Sequence, residues 1–295
     1  MRVGLVILPT DRWPEARRQW EWADGVGFHA AWTYDHVRWG GMPDGPWLAA
    51  VPVLAAASVV TTSIRLGTLV ATPNFRHPVP LARDAIALDD LSSGRIDLGV
   101  GPGSEGPDAT AVGGRPWSTS ERIERFAEFL QILRAVLGGA PTDRTSLSLT
   151  HYACSDAPST PGTVQSPLPL TVAAGGPRAM RLAAEFGQQW VTIGRPRVRE
   201  TADSLLTSVR DQCELLDSTC GALGRAPSSL AKVLLWTPTE PAIDSADHFD
   251  ELAAPYAALG FDQLVLHHPA QTGPYRGSVR AFETIAARYA DPGPS

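Results

Sequence analysis

Short apolar runs alternate with segments of helical periodicity along the whole of this chain, and few folds accept that order. Val3–Leu8, Ala30–Tyr34, Arg65–Val70 and Arg95–Gly101 have strand length, and Leu170–Ala174, Trp190–Ile193, Leu230–Trp236 and Gln263–His267 repeat the pattern in the second half. Between and after them, apolar residues recur at helical spacing over Asp11–Val26, Pro46–Thr61, Pro80–Leu91 and Thr119–Leu137, then over Pro177–Phe186, Val198–Thr219, Ser245–Leu259 and Val279–Tyr289. Pro46 suits a first helical turn, and Gly138-Gly139 and Ser92-Ser93-Gly94 read as stops. The strands lack clean two-residue alternation, as parallel strands buried on both faces do. Eight strand–helix units in 295 residues fit a closed (β/α)8 TIM barrel. On alternation alone, a doubly wound open sheet remains the rival.

Two segments break the rhythm, so the expected barrel carries insertions after strand 4 and before strand 5. Pro102–Ser118 is rich in Gly, Pro and Ser, and Gly139–Pro169 contains Pro141, Pro158, Pro161, Pro167 and Pro169. Loops of this length without secondary structure are usually functional lids or mobile segments. The alternation resumes in the same style after each, so residues 1–295 are expected to form a single domain.

With 43% apolar residues the chain can bury a sizeable core. Twenty-five basic residues against 31 acidic give a net charge of -6, and no basic run stands out. That argues against a nucleic-acid footprint and against a polybasic membrane patch. Cys154, Cys213 and Cys220 have no CxxC spacing and suggest neither a disulfide framework nor a zinc site. The apolar stretch before Pro9 is too short for a signal sequence or a membrane span. A soluble, cytoplasmic protein is the simplest expectation.

In a parallel barrel the loops leaving the carboxyl ends of the strands carry the chemistry. Asp35-His36 stands at such an end, where the run Ala30–Tyr34 stops. His36 has three open readings: general acid, ligand donor or packed histidine. Adjacent residues on an extended strand point oppositely, so Asp35 and His36 need not pair with each other. Gly175-Gly176-Pro177-Arg178 follows an apolar strand and opens a helix. It reads either as an anion site on free backbone N–H groups or as a tight turn. It has neither the lysine of a P-loop nor the GxGxxG spacing. No GxSxG elbow supports a serine nucleophile, and His267-His268 has no metal-ligand spacing.

Three stretches, "ADGVGFHAAWTYDHV", "IRLGTLVATPNFRHPVPLARDAIALDDLSSGRIDLGVGPG" and "VAAGGPRAMRLAAEFGQQWVTIG", together resemble the bacterial luciferase-like superfamily of flavin and deazaflavin oxidoreductases. The resemblance implies the barrel, with coenzyme F420 or FMN bound in its mouth. It puts the coenzyme ring near Leu69, Val70 and Thr72, with Gly101, Gly103 and Ala174 beside it. A non-prolyl cis peptide is expected between Leu69 and Val70. The phosphate is expected at Gly175-Gly176-Pro177, and Arg178 or Arg181 is a donor for the acidic tail of coenzyme F420. By the same resemblance Asp35 contacts the coenzyme and His36 is the active-site acid. The chain departs from the sugar-phosphate dehydrogenases in two ways: Ser104 stands where they carry a catalytic Glu, with Glu105 one position later, and Trp39 is shifted by one from the expected aromatic. Lys232 is the only lysine, which disfavours a sugar phosphate as substrate.

The leading expectation is therefore an F420-dependent oxidoreductase moving hydride to or from a small organic substrate, with His36 in acid–base catalysis. The alternative is an FMN-dependent monooxygenase supplied with reduced flavin by a separate flavin reductase. A non-catalytic flavin-binding subunit is a third possibility. A homodimer is the family-based expectation.

Overall fold

In the computed structural model, which describes residues 1–195, 198, 200–237, 243–270 and 275–290, the apolar runs become strands and the periodic segments helices. The first half runs β1 (Arg2–Val6), α1 (Trp13–Gly25), β2 (Ala30–Thr33), α2 (Ala50–Val60), β3 (Arg65–Ala71), α3 (Pro78–Leu91), β4 (Ile96–Val100), α4 (Asp108–Ala111) and α5 (Thr119–Gly138). Two short strands follow, β5 (Arg144–Ser148) and β6 (Ala153–Pro158). The second half runs β7 (Leu170–Ala173), α6 (Pro177–Phe186), β8 (Gln189–Thr192), α7 (Ala202–Ala222), β9 (Ala231–Leu235), α8 (Ala246–Ala258), β10 (Gln263–His267) and α9 (Val279–Tyr289).

Eight of the strands close into a barrel in the order β1-β10-β9-β8-β7-β4-β3-β2, every neighbouring pair parallel. Because β1 pairs with both β10 and β2, the sheet has no edge and the open-sheet rival falls. Successive residues serve different layers. Leu5 packs outward in the cluster shared with the helices, whereas Val6 joins Ala30, Trp32, Tyr34, Leu69, Val191, Val233, Leu235 and Val265 inside the barrel. Both layers are apolar, which is why the strands read as unbroken apolar runs. The Trp32 indole fills the interior only because residue 67 is glycine: a Cβ there would lie 2.6 Å from the indole and 2.2 Å from the Asp97 carbonyl oxygen.

Three expectations need correction. The second helix begins at Ala50 rather than Pro46; Pro46 and Trp47 belong to the loop, and the Leu48 N–H bonds the Pro9 carbonyl at 2.8 Å. The seventh begins at Ala202, capped by the Thr201 hydroxyl, rather than at Val198; residue 199 lies outside the described residues. The segment 139–169 is neither structureless nor a lid. Since α5 returns the chain to the amino-terminal face, the insertion starts and ends there. Gln165 ties its end to the entry of β4, bonding Asp89 at 2.7 and 2.9 Å, the Ile96 carbonyl at 2.7 Å and Arg65 at 2.9 Å. The antiparallel β5–β6 hairpin then lies along α5, where Glu128 accepts the N–H groups of Thr150, His151 and Tyr152. Pro102–Ser118 does lie at the carboxyl-terminal face, and it contains α4.

Cys213 and Cys220 are both buried on α7, and burial pushes the Cys213 thiol up to about 11, so it packs as a neutral group. Among the described residues, no helix is long and apolar enough to cross a membrane.

Candidate active site

The carboxyl ends of the strands form the mouth of the barrel. At the end of β2 the Asp35 carboxylate is 1% exposed, and the Arg76 guanidinium meets it with two hydrogen bonds, Nε to Oδ2 at 2.9 Å and Nη2 to Oδ1 at 2.7 Å. A buried carboxylate needs such a partner, because its desolvation is otherwise uncompensated. Arg76 follows the Thr72-Pro73-Asn74 turn after β3, so the pair ties two neighbouring strand ends together. Sequence reasoning did not single out Arg76.

His36, the next residue, turns elsewhere. Its Nδ1 lies 2.6 Å from Oδ2 of Asp108, the first residue of α4 in the insertion after β4. The other oxygen of Asp108 accepts the N–H groups of Val37 at 2.8 Å and Arg38 at 3.1 Å. Burial pushes the Asp108 carboxyl up, but the hydrogen bonds from His36, Arg38 and Val37 outweigh it and hold the group below the usual carboxylate range. An ionised carboxylate only accepts, so Nδ1 carries the hydrogen and Nε2 is left as the exchangeable nitrogen. Asp108 was also missed: a lone Asp in a Gly/Pro-rich loop carries no periodic signal.

Barrel order places β3, β4 and β7 side by side, and their ends form one sector of the mouth. The Leu69–Val70 peptide is cis, at the bond marked by the family resemblance, and the β3–β4 register shifts between Thr68 and Ala71. Gly101 and Gly103 allow close approach there: a Cβ at Gly101 would lie 2.7 Å from Val70 Cγ2, and one at Gly103 2.6 Å from Asn74 Oδ1. Thr72 is buried, and its hydroxyl accepts the Asn74 N–H at 3.4 Å. Asn74 Nδ2 donates to the Ser104 carbonyl at 3.0 Å, while its buried Oδ1 has no donor among the described residues. Glu105, beside Ser104, pairs with Arg122 on α5 at 3.2 Å.

At the end of β7, Ala174 is held by its carbonyl to the Trp190 indole at 2.9 Å, and Gly175 by its carbonyl to Gln212 at 3.4 Å. Gln212, on α7, also bonds Thr192 and the Gly194 carbonyl, bracing the turn from behind. Gly176 caps α6 without a side-chain acceptor, Pro177 opens the helix, and a Cβ at Gly176 would meet nothing within 4 Å. No side chain among the described residues caps the first-turn N–H groups. The Arg178 guanidinium is exposed and donates to Ser120 Oγ at 2.8 Å.

A second sector, from β2, β1 and β10, is aromatic. Tyr34 is buried with its hydroxyl 2.8 Å from His267 Nε2, and its ring meets Trp39 edge-on at 5.6 Å. Trp47 lies 5.4 Å from Trp39 and 6.0 Å from His36, centroid to centroid. Tyr275 stacks on His267 at 3.8 Å. Burial pulls His267 down to about 3, so it is neutral and accepts the Tyr34 O–H. His268 instead packs against Trp22 of α1, on the other side of the strand.

A closed barrel with its polar constellation on the carboxyl ends of the strands defines a (β/α)8-barrel protein of the enzyme type. The family profile described as luciferase-like monooxygenase matches residues 1–217, and the chain belongs to that family. It is 34% identical over 208 residues to the F420-dependent glucose-6-phosphate dehydrogenase of Beutenbergia cavernae, a match covering 68% of this chain and 59% of that enzyme. It is 34% identical over 192 residues to the 4-hydroxyprotoasukamycin monooxygenase of Streptomyces nodosus subsp. asukaensis, covering 63% and 48%. The matched region thus spans about half to three fifths of these relatives' length. The fold also matches an F420-dependent secondary alcohol dehydrogenase solved with an F420–acetone adduct, with a TM-score of 0.80, 16% identity and 97% and 99% of the two chains covered.

Proposed function

We propose that the chain is an oxidoreductase that uses coenzyme F420 for hydride transfer to or from a small organic substrate, with His36 as its acid–base group. The observation that carries the reading is the His36–Asp108 pair, set at the mouth beside the glycine-lined β3–β4–β7 sector. The sector's groups fit a deazaflavin or flavin. The uncapped start of α6 offers N–H donors to a phosphate. Asn74 Oδ1 is a buried acceptor of the kind a ring imide N–H satisfies. Leu69, Val70, Thr72, Gly101, Gly103 and Ala174 would line the ring, and Arg178 stands beside the phosphate turn. The bound coenzyme would supply the two-electron hydride chemistry.

The chain's own part is proton handling and placement. Asp108 fixes the His36 tautomer, so Nε2 is the atom that gives up or takes a proton as charge develops on a substrate oxygen. In this reading Asp35 contacts the coenzyme from its pairing with Arg76. The relative from Beutenbergia cavernae supports the F420 assignment; the Streptomyces relative favours a second reading, an FMN-dependent monooxygenase fed by a separate flavin reductase. We further take residues 1–295 as one domain, acting as a cytoplasmic homodimer. The test is replacement of His36 by alanine: turnover should fall about 100-fold or more, with F420 affinity largely kept. Unchanged turnover would reduce His36 to a packing residue.

A further inference from the structure

We propose that the amino-terminal half of the barrel interior is a hydration site, in which a buried water molecule bridges the Trp32 indole N–H, the Thr171 hydroxyl and the Gln263 side-chain amide. The site lies below the mouth, so the inference stands or falls independently of the coenzyme reading.

Strand register brings the three groups to one level. Followed round the barrel from Gly4–Ala30 to Gly4–Val265, the pairing accumulates a stagger of about eight residues, about one per strand. Interior positions therefore fall into layers of about four residues drawn from alternate strands. Gly4, Gly67, Thr171 and Val233 form one such layer. Ala30, Asp97, Gln189 and Gln263 lie in the layer below it, and Trp32, Gly99, Val191 and Val265 in the layer above. Branched apolar residues ordinarily fill these layers, but two glycines leave this one to its neighbours. A Cβ at Gly67 would lie 2.6 Å from Trp32 Cζ3, so the indole descends into the layer from above. A Cβ at Gly4 would lie 2.4 Å from Gln263 Nε2, so the amide rises into it from below.

The polar atoms gathered there lack partners. Trp32 and Thr171 are 0% exposed and Gln263 is 4% exposed, yet Trp32 Nε1, Thr171 Oγ1 and Gln263 Nε2 have no hydrogen bond among the described residues. The benzo edge of Trp32 faces Gly67, so Nε1, on the other edge, points away from β3. Buried polar groups are costly unless satisfied, and a space bounded by two to four of them is where internal water is found. Two of these groups are N–H donors, so the ligand must accept twice. Water does so with its lone pairs and donates back to Thr171 Oγ1. An anion would also accept, but it would face the Asp97 carboxylate of the layer below, whose cation, Arg65, is already committed to it. The water thereby pins Trp32 beneath Val6, Leu69 and Leu235, the apolar layer that separates it from the mouth.

The test is a high-resolution crystal structure of the full chain, with a second crystal soaked in bromide. The wild type should show a density peak about 2.7–3.2 Å from at least two of Trp32 Nε1, Thr171 Oγ1 and Gln263 Nε2, with no anomalous bromide signal at that point. Thr171→Val, which exchanges the hydroxyl for a methyl of similar size, should lower the melting temperature by about 2–4 °C. Made in a Gln263→Met background, the same change should cost less, because the two side chains share one ligand. A peak with fewer than two of these partners, an interior without density, or bromide at the site would overturn the proposal. So would a Thr171→Val variant as stable as the wild type, or losses that simply add. Where a variant does not fold, the wild-type density decides.

Discussion

Two buried carboxylates at the mouth, Asp35 after β2 and Asp108 after β4, carry the site's single-residue tests. Asp108 orients His36, so Asp108→Asn should lower turnover by roughly 10- to 100-fold while leaving F420 affinity nearly unchanged. A merely structural Asp108 would instead lower stability and F420 affinity along with turnover. Asp35 has a different burden. Replacing Arg76 by alanine leaves a buried carboxylate without its cation and should cost roughly 3–5 kcal/mol of stability, measured by urea denaturation. A loss under about 1 kcal/mol would mean that water or another donor reaches Asp35. Neither partner was legible in the sequence. Arg76 lies 41 residues from Asp35 and Asp108 72 from His36, and no local pattern records a contact made only by barrel closure.

Elements were far more legible than their partners. The eight barrel strands were readable because burial on both faces leaves a continuous apolar run, and Gln263–His267, Pro177–Phe186 and Val279–Tyr289 match in full. The misplaced start of α2 had a local cause. Pro46 satisfies the rules for a first turn, but the loop there is held by the tertiary bond from Leu48 to Pro9. The β5–β6 hairpin was missed because it packs on the outside of the helices, where Thr145, Leu147 and Leu149 alternate only weakly with exposed residues. Two elements carry tests of their own. Asp24 on α1 accepts the N–H groups of Thr62, Ser63 and Ile64 before β3. Burial opposes its charge, yet these bonds hold its carboxyl down near 2. Asp24→Ala should cost about 1–2 kcal/mol, and the bonds' contribution, full above the ordinary carboxylate range, should fade as pH falls from about 4 towards 2. At the end of β10, His267 has its pKa depressed, so the unfolded chain takes up a proton that the folded one refuses. Stability is full above about pH 6.5 and falls below it, by about 1.4 kcal/mol per pH unit. The decline between pH 7 and 5 should shrink by about 2 kcal/mol in His267→Gln; an equally steep decline in the variant would show that His267 is not the titrating group.

For the whole molecule, barrel closure is what turns scattered loops into a site. It sets the β3, β4 and β7 ends together as a glycine-lined sector and the β2, β1 and β10 ends together as an aromatic one. The start of α6 was legible from Gly175-Gly176-Pro177 alone, since glycine and a first-turn proline mark a helix start in any context. The two-sector division was not, because it depends on strand order. Deazaflavin and flavin share the tricyclic ring and the phosphate, so in the proposed reading the sector suits both, and relative affinity decides between them. The direct measurement is a fluorescence titration of the purified protein with coenzyme F420 and with FMN. F420 is expected to bind at least about tenfold tighter, a difference of about 1.4 kcal/mol, with no oxygen uptake on adding reduced FMN. FMN bound tenfold tighter, with oxygen consumed when reduced FMN is supplied, would contradict the F420 reading.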